Sequence, residues 1–197
     1  MPSGAPAERT DDGRADLSGV FLARHGETDY NLHRRFQGWL AVPLNERGRR
    51  QALELAEEAA ARNFRALWCS SLLRARQTAD IVGERLGLEP HEDPRLAETD
   101  SGDWTDRDFA EVQAAEPERF AAFVGADPDF AFPGGESFAH QAERVGRALA
   151  DIATGLRPAL VICHGMVIRL ALARLAVPGA GGAPRLPPVA NAALIPL

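Results

Sequence analysis

Phe21-Leu22-Ala23-Arg24-His25-Gly26-Glu27-Thr28 is the stretch on which the reading of this chain turns. With Val20 in front, its first residues form a short apolar run of the kind that fills a buried parallel strand. The run stops at Arg24 and His25, and Gly26 then frees the backbone to turn. A strand that carries a cation and an imidazole to its carboxyl end puts them where open α/β sheets bind ligands. The tripeptide Arg-His-Gly alone would fit a surface loop. The full string directly after an apolar strand points to a site.

Two further strands end in the same way. Phe64 to Cys69 leads into Ser70-Ser71-Leu72-Leu73-Arg74, and the stripe Leu72, Ala75, Ala79, Val82, Leu86 predicts a helix that starts just past the serines. Arg74 then falls in that helix's first turn, unfavourable for a cation against the helix dipole unless an anion sits beside it. Arg76 is expected to face solvent. Ala159 to Cys163 is a continuous apolar run closed by His164-Gly165, and Val167 to Val177 follows as a helix apolar on nearly all sides. Because sheet carboxyl ends converge, Arg24-His25, Arg74 and His164 are expected to surround one point.

These strings resemble the histidine phosphatase superfamily in its phosphoglycerate-mutase-like branch, from about Val20 to the C-terminus. RHGET at Arg24–Thr28, SSLLRARQTA at Ser70–Ala79, the Glu98…Gly102-Asp103-Trp104 segment and PGGES at Pro133–Ser137 carry the likeness, in order. The resemblance implies an α/β fold, a three-layer α/β/α sandwich with a small lid insertion. It implies that His25 is phosphorylated during turnover, that Arg24, Arg74 and His164 are catalytic, and that Glu98 is the general acid. Asn31 and Gln37 fall where the family touches the transferred phosphate, and Gly38 and Gly165 join them as substrate-binding positions. Asn31 and Gln37 also fit an Asx turn and surface polarity, and Glu98 a plain salt bridge. The family commonly continues Glu-Gly after the tryptophan, whereas this chain has Thr105-Asp106, a departure that affects the loop's shape.

Between these motifs the chain reads as scaffold. Asn45 is a good N-cap for a helix whose buried stripe is expected at Leu53, Ala56 and Ala60, widened by Ala52 and Ala59. Residues 107–132 hold Phe109, Phe120, Phe123, Phe130 and Phe132, read as one or two short helices broken near Pro117 and as the lid. Phe138, Ala142, Val145, Leu149 and Ile152 mark a long amphipathic helix. Asn191 to Leu197 reads as a last short strand.

Composition bounds the function. A chain of 197 residues, 45% hydrophobic and 25% charged, fits one domain over residues 18–197. Met1 to Leu17 is rich in Pro, Gly, Ala, Asp and Arg and is expected to be a disordered leader. A net charge of −6 argues against a nucleic-acid surface, and no apolar run approaches the ~20 residues that span a bilayer. Cys69 and Cys163 close buried strands, which suits core thiols in a reducing, cytoplasmic setting and supplies no zinc spacing. No metal and no cofactor are expected.

Two histidines and two arginines around one carboxylate suit a phosphoryl group, whose charge spreads over three oxygens during transfer. The expected activity is hydrolysis of a small phosphomonoester through a phosphohistidine. A phosphoglycerate mutase is the nearest alternative, although such mutases carry a longer insertion after the acid than the compact 98–133 segment here. A non-catalytic phosphoester-binding protein is a further alternative, expected only if His25 or Glu98 were replaced. An exposed sheet edge allows a homodimer.

Overall fold

The computed structural model describes residues 15–175 and 188–197. Most of the expected leader and nearly all of a Pro/Gly loop expected over 178–188 lie outside the described residues. Ala15 to Leu17, counted with the leader on composition, are placed: Asp16 meets Arg157 at 3.4 Å and Leu17 packs on the core.

A five-stranded sheet forms the middle layer. In chain order the elements are β1 (Val20–Arg24), α1 (Asp29–Leu32), α2 (Glu46–Ala60), β2 (Ala66–Cys69), α3 (Leu73–Leu86) and β3 (Pro90–Glu92). After two short 3₁₀ turns come α4 (Phe109–Ala115), α5 (Pro117–Gly125), α6 (Phe138–Ala153), β4 (Ala159–Cys163), α7 (Gly165–Leu175) and β5 (Leu194–Pro196). The spatial order is β3-β2-β4-β1-β5, parallel except for the antiparallel edge strand β5.

Strand alternation sorts the core into two layers. Val20, Leu22, Ala159, Val161 and Cys163 point to one face, where α6 and α7 pack on them. Ala23, Leu67, Cys69, Leu160 and Ile162 point to the other, against α2 and α3. This is the expected three-layer sandwich. A third, aromatic cluster holds the 109–138 segment to Met166 and Leu170 of α7, with Trp104 fully buried at its centre.

Some boundaries and faces differ from the sequence reading. β5 covers only Leu194–Pro196, because Asn191 and Ala192 form a turn that sends the Asn191 amide back toward β1. Leu53 is exposed: the buried stripe of α2 is Ala52, Leu55, Ala56 and Ala59. Gly48 fixes that rotation, since it must face the turn after β1. The two helices broken at Pro117 are observed, with that proline at the first position of α5.

Candidate active site

The parallel register aligns the carboxyl ends of β1, β4 and β2. Arg24 pairs with Cys163, so the next residues, His25 and His164, emerge side by side, while Cys69 pairs with Ile162 and leaves Ser70 one residue back, level with Cys163. The backbone N–H of His25 continues the ladder to the Cys163 carbonyl at 3.0 Å. The His25 and His164 rings lie 5.2 Å apart, centroid to centroid.

Hydrogen bonding sets the His25 tautomer. Nδ1 lies 2.7 Å from the Gly26 carbonyl, which can only accept, so Nδ1 carries the proton. Nε2 is left with its lone pair and accepts from Arg74 Nε at 3.3 Å. Arg74 is buried at the start of α3, where its Nη1 and Nη2 donate to the carbonyls of Leu40 and Gly38 at 3.2 and 3.0 Å. Those carbonyls are a structural answer to a cation in a helix's first turn. Burial, then Arg74 and Arg24, hold the His25 imidazole well below the usual histidine range. Burial and the same arginines, with His25 itself, do this to His164. Both rings are therefore neutral at pH 7, and His164 as a charged donor requires an anion to arrive with it. Burial also brings Arg74 down to about 10, which leaves it cationic.

His164 Nε2 meets Ser70 Oγ at 2.8 Å, and its buried Nδ1 has no partner. The buried Nε of Arg24 is also unpartnered, while its Nη1 donates to the Val189 carbonyl at 2.5 Å. Asn31 and Gln37 are tied to Thr28: Asn31 Oδ1 accepts from the Thr28 N–H at 3.2 Å, and Gln37 Oε1 from the Thr28 hydroxyl at 3.0 Å. Their NH₂ groups make no hydrogen bond among the described residues, and both side chains line the cleft. Gly38 lines it with φ +46°, and a Cβ there would lie 2.4 Å from Ser101 Oγ. Gly165 lines it beside Arg24.

Glu98 enters from a loop anchored at several points. Its Oε1 accepts from the Thr99 N–H at 3.0 Å and Gln141 Nε2 at 3.2 Å, and Oε2 from the Met166 N–H at 3.3 Å. Its carbonyl accepts from Trp39 Nε1 at 2.7 Å and Arg144 Nη2 at 3.0 Å. Arg144 also holds the carbonyls of Arg95 and Ala97, each at 2.7 Å, and is paired with buried Glu136 through two 2.7 Å bonds. The replacement of Glu-Gly by Thr105-Asp106 is absorbed locally. Thr105 bonds Ser101, and Asp106, at φ +67°, pairs with Arg35 at 2.8 Å.

The sequence reading brought together His25, Arg24, Arg74, His164, Glu98, Asn31, Gln37, Gly38 and Gly165. All but His164 line one cleft of about 810 Å³, and the fully buried His164 ring lies 5.2 Å from that of His25. Ser70, Gln141, Arg144, Trp39 and Arg169 were missed. Ser70 could have been found, since it follows a buried strand as the two histidines do. Gln141 and Arg144 carry a signal too: they are polar residues set into the apolar face of α6.

Residues 20–197 match the model of the histidine phosphatase superfamily, branch 1. "Probable phosphoglycerate mutase GpmB" of Cronobacter sakazakii is 38% identical over 152 residues, covering 76% of this chain and 70% of that protein. Among solved structures, a mycobacterial glucosyl-3-phosphoglycerate phosphatase complexed with VO₃ is similar with TM-score 0.82 and 35% identity, over 89% of this chain and 90% of that one. YhfR of Bacillus stearothermophilus is similar with TM-score 0.73 and 33% identity, over 79% and 78%.

Proposed function

The chain belongs to the histidine phosphatase superfamily and is an enzyme of that family, and we propose that it hydrolyses small phosphomonoesters through a phosphohistidine at His25. The observation that carries this is the His25 ring itself: neutral, with Nδ1 committed to a carbonyl and the Nε2 lone pair left unprotonated beside the buried Arg74 and the half-buried Arg24.

In the first step the Nε2 lone pair forms a bond to phosphorus as the bond to the alcohol oxygen breaks. Glu98 gives the departing oxygen a proton. Arg24 and Arg74 hold the equatorial oxygens with forked donors, and the NH₂ groups of Asn31 and Gln37 add neutral ones. His164 binds the phosphoryl group through Nδ1, with Ser70 fixing its ring. In the second step Glu98 takes a proton from water, water oxygen bonds to phosphorus, the N–P bond breaks, and phosphate leaves. Residues 107–132 act as a lid, a role supported by Phe109, Phe120 and Phe123 lining the cleft. Two buried free cysteines support a reducing, cytoplasmic setting, and the exposed edge of β3 supports a homodimer. Among the described residues no helix is long and apolar enough to cross a membrane.

The mutase reading draws on the identity to a GpmB sequence. One experiment separates the readings. An activated aryl phosphate and a phosphoglycerate are supplied to the native enzyme and to His25→Ala, with free phosphate and isomer both measured. Hydrolysis predicts stoichiometric phosphate, an acid-labile and base-stable phosphoenzyme in the native protein, and neither in the variant. Isomer formation in excess of phosphate would establish the mutase, and equal turnover by His25→Ala would remove the histidine mechanism.

A further inference from the structure

Gln141 is a fully buried polar side chain on the apolar face of α6, between Phe138 and Val145. A buried amide is costly unless its groups are hydrogen-bonded, and both of its ends are. Its Nε2 donates to Glu98 Oε1 at 3.2 Å, and its Oε1 accepts from the Thr99 hydroxyl. Glu98 decides which way the amide points. Turned over, the amide would set its oxygen against a carboxylate, which can only accept.

The loop's backbone is held by other groups. Arg144 binds the carbonyls of Arg95, Ala97 and Glu98, and Trp39 Nε1 donates to the Glu98 carbonyl as well. Among the described residues the Gln141 amide bonds only two side chains of that loop, the Glu98 carboxyl and the Thr99 hydroxyl. The donors on the carboxyl are shared unevenly. Oε1 takes two, the Thr99 N–H at 3.0 Å and Gln141 Nε2, and these fill its two lone-pair positions. Oε2 takes one, the Met166 N–H at 3.3 Å, which leaves it a lone pair. A proton on Oε1 would displace a buried donor and leave it unpaired, whereas a proton on Oε2 displaces nothing.

We propose that Gln141 is a positioning residue that reserves Glu98 Oε2 for the catalytic proton. In the first step the Oε2 proton passes to the alcohol oxygen, which keeps the electron pair of the breaking P–O bond. In the second step Oε2 takes a proton from the attacking water. Thr99 serves at one remove, because its hydroxyl holds the amide with the donor toward Glu98. The inference rests on the hydrolase reading, with Glu98 as its acid and base.

The test compares an alkyl phosphate, a poor leaving group, with an activated aryl phosphate in four variants: Gln141→Met, Thr99→Val, the double variant and Glu98→Gln. Methionine fills the amide's place in an apolar face, and valine matches threonine in shape. Gln141→Met should lose about tenfold in kcat/KM with the alkyl ester, as removal of a hydrogen bond to a charged group allows, and about twofold or less with the aryl ester. Thr99→Val should lose in the same direction by less. The double variant should be no worse than Gln141→Met, because the hydroxyl acts only through the amide. Equal losses with both esters, native rates in Gln141→Met, or losses that multiply in the double variant would each overturn the proposal. Glu98→Gln locates the failure. If that variant still discriminates between the esters, only the role of Gln141 falls; if it does not, the assignment of the acid falls with it.

Discussion

At the scale of single residues, two groups divide the proposed chemistry, and their surroundings differ in kind. His25 is held by one carbonyl and one guanidinium in a buried pocket. Glu98 sits on a loop held by Thr99, Gln141 and Met166. If Glu98 is the acid, Glu98→Gln should cost most with poor leaving groups, within the roughly 10²–10⁴-fold that general acid catalysis supplies. An activated aryl phosphate departs unaided, so its first step should be nearly spared. The second step then lacks a base, and rapid mixing should reveal a burst of aryl alcohol with phosphoenzyme accumulating. Equal losses for good and poor leaving groups, without a burst, would move the role to Asp100 or Asp103.

At the scale of elements, the turn after β1 and the first turn of α2 meet backbone to backbone. A Cβ on Gly26 would lie 2.3 Å from the Gly48 carbonyl oxygen, and one on Gly48 would lie 2.0 Å from that of Glu27. Gln51 Oε1 accepts from the Glu27 N–H at 2.8 Å and the Asn45 N–H donates to the Glu27 carbonyl at 3.0 Å, locking the contact. Gly48→Ala should therefore destabilise by about 1–3 kcal/mol, as overpacking does, although alanine is favoured over glycine by about 1 kcal/mol inside a helix. For a chain of this size each kcal/mol is worth about 2–4 °C in Tm. Turnover should fall with it, because the displaced atoms belong to the turn that carries His25. Gly125→Ala, with nothing within 4 Å of its Cβ, should leave Tm almost unchanged. Similar Tm values for the two variants would show that the contact gives way.

At the scale of the whole molecule, two buried neutral histidines tie stability to pH. Their folded pKa values lie below the unfolded value of about 6.5, so between the two the unfolded chain binds more protons. Stability from this source is complete above about pH 6.5 and is lost as pH falls through the folded values, by at most about 1.4 kcal/mol per pH unit for each ring. Thermal unfolding from pH 8 to 5 should show that decline, shallower in His164→Asn. Phosphate should oppose it, because an anion between Arg24 and Arg74 favours the imidazolium forms and binds only the folded state. A decline of the same slope in His164→Asn, unmoved by phosphate, would place the acid sensitivity in the carboxylates.

The sequence by itself determined the parallel core and which polar residues, His25, Arg24, Arg74, His164 and Glu98, gather at the carboxyl ends of its strands. It could do so because a buried strand is a continuous apolar run, and a polar residue at its end has few reasons to be there. What lay outside its reach depended on approach between distant segments. The rotation of α2 that exposes Leu53 follows from the contact of Gly48 with the turn after β1, which no helical period contains. Gln141 and Arg144 read as breaks in an amphipathic stripe until α6 is laid beside Glu98. The tautomer of His25, the neutrality of both rings and the unpartnered Nε of Arg169 were decided only by the tertiary structure. Each depends on which carbonyls and charges burial brings within a few ångströms, and a linear pattern carries no record of those distances.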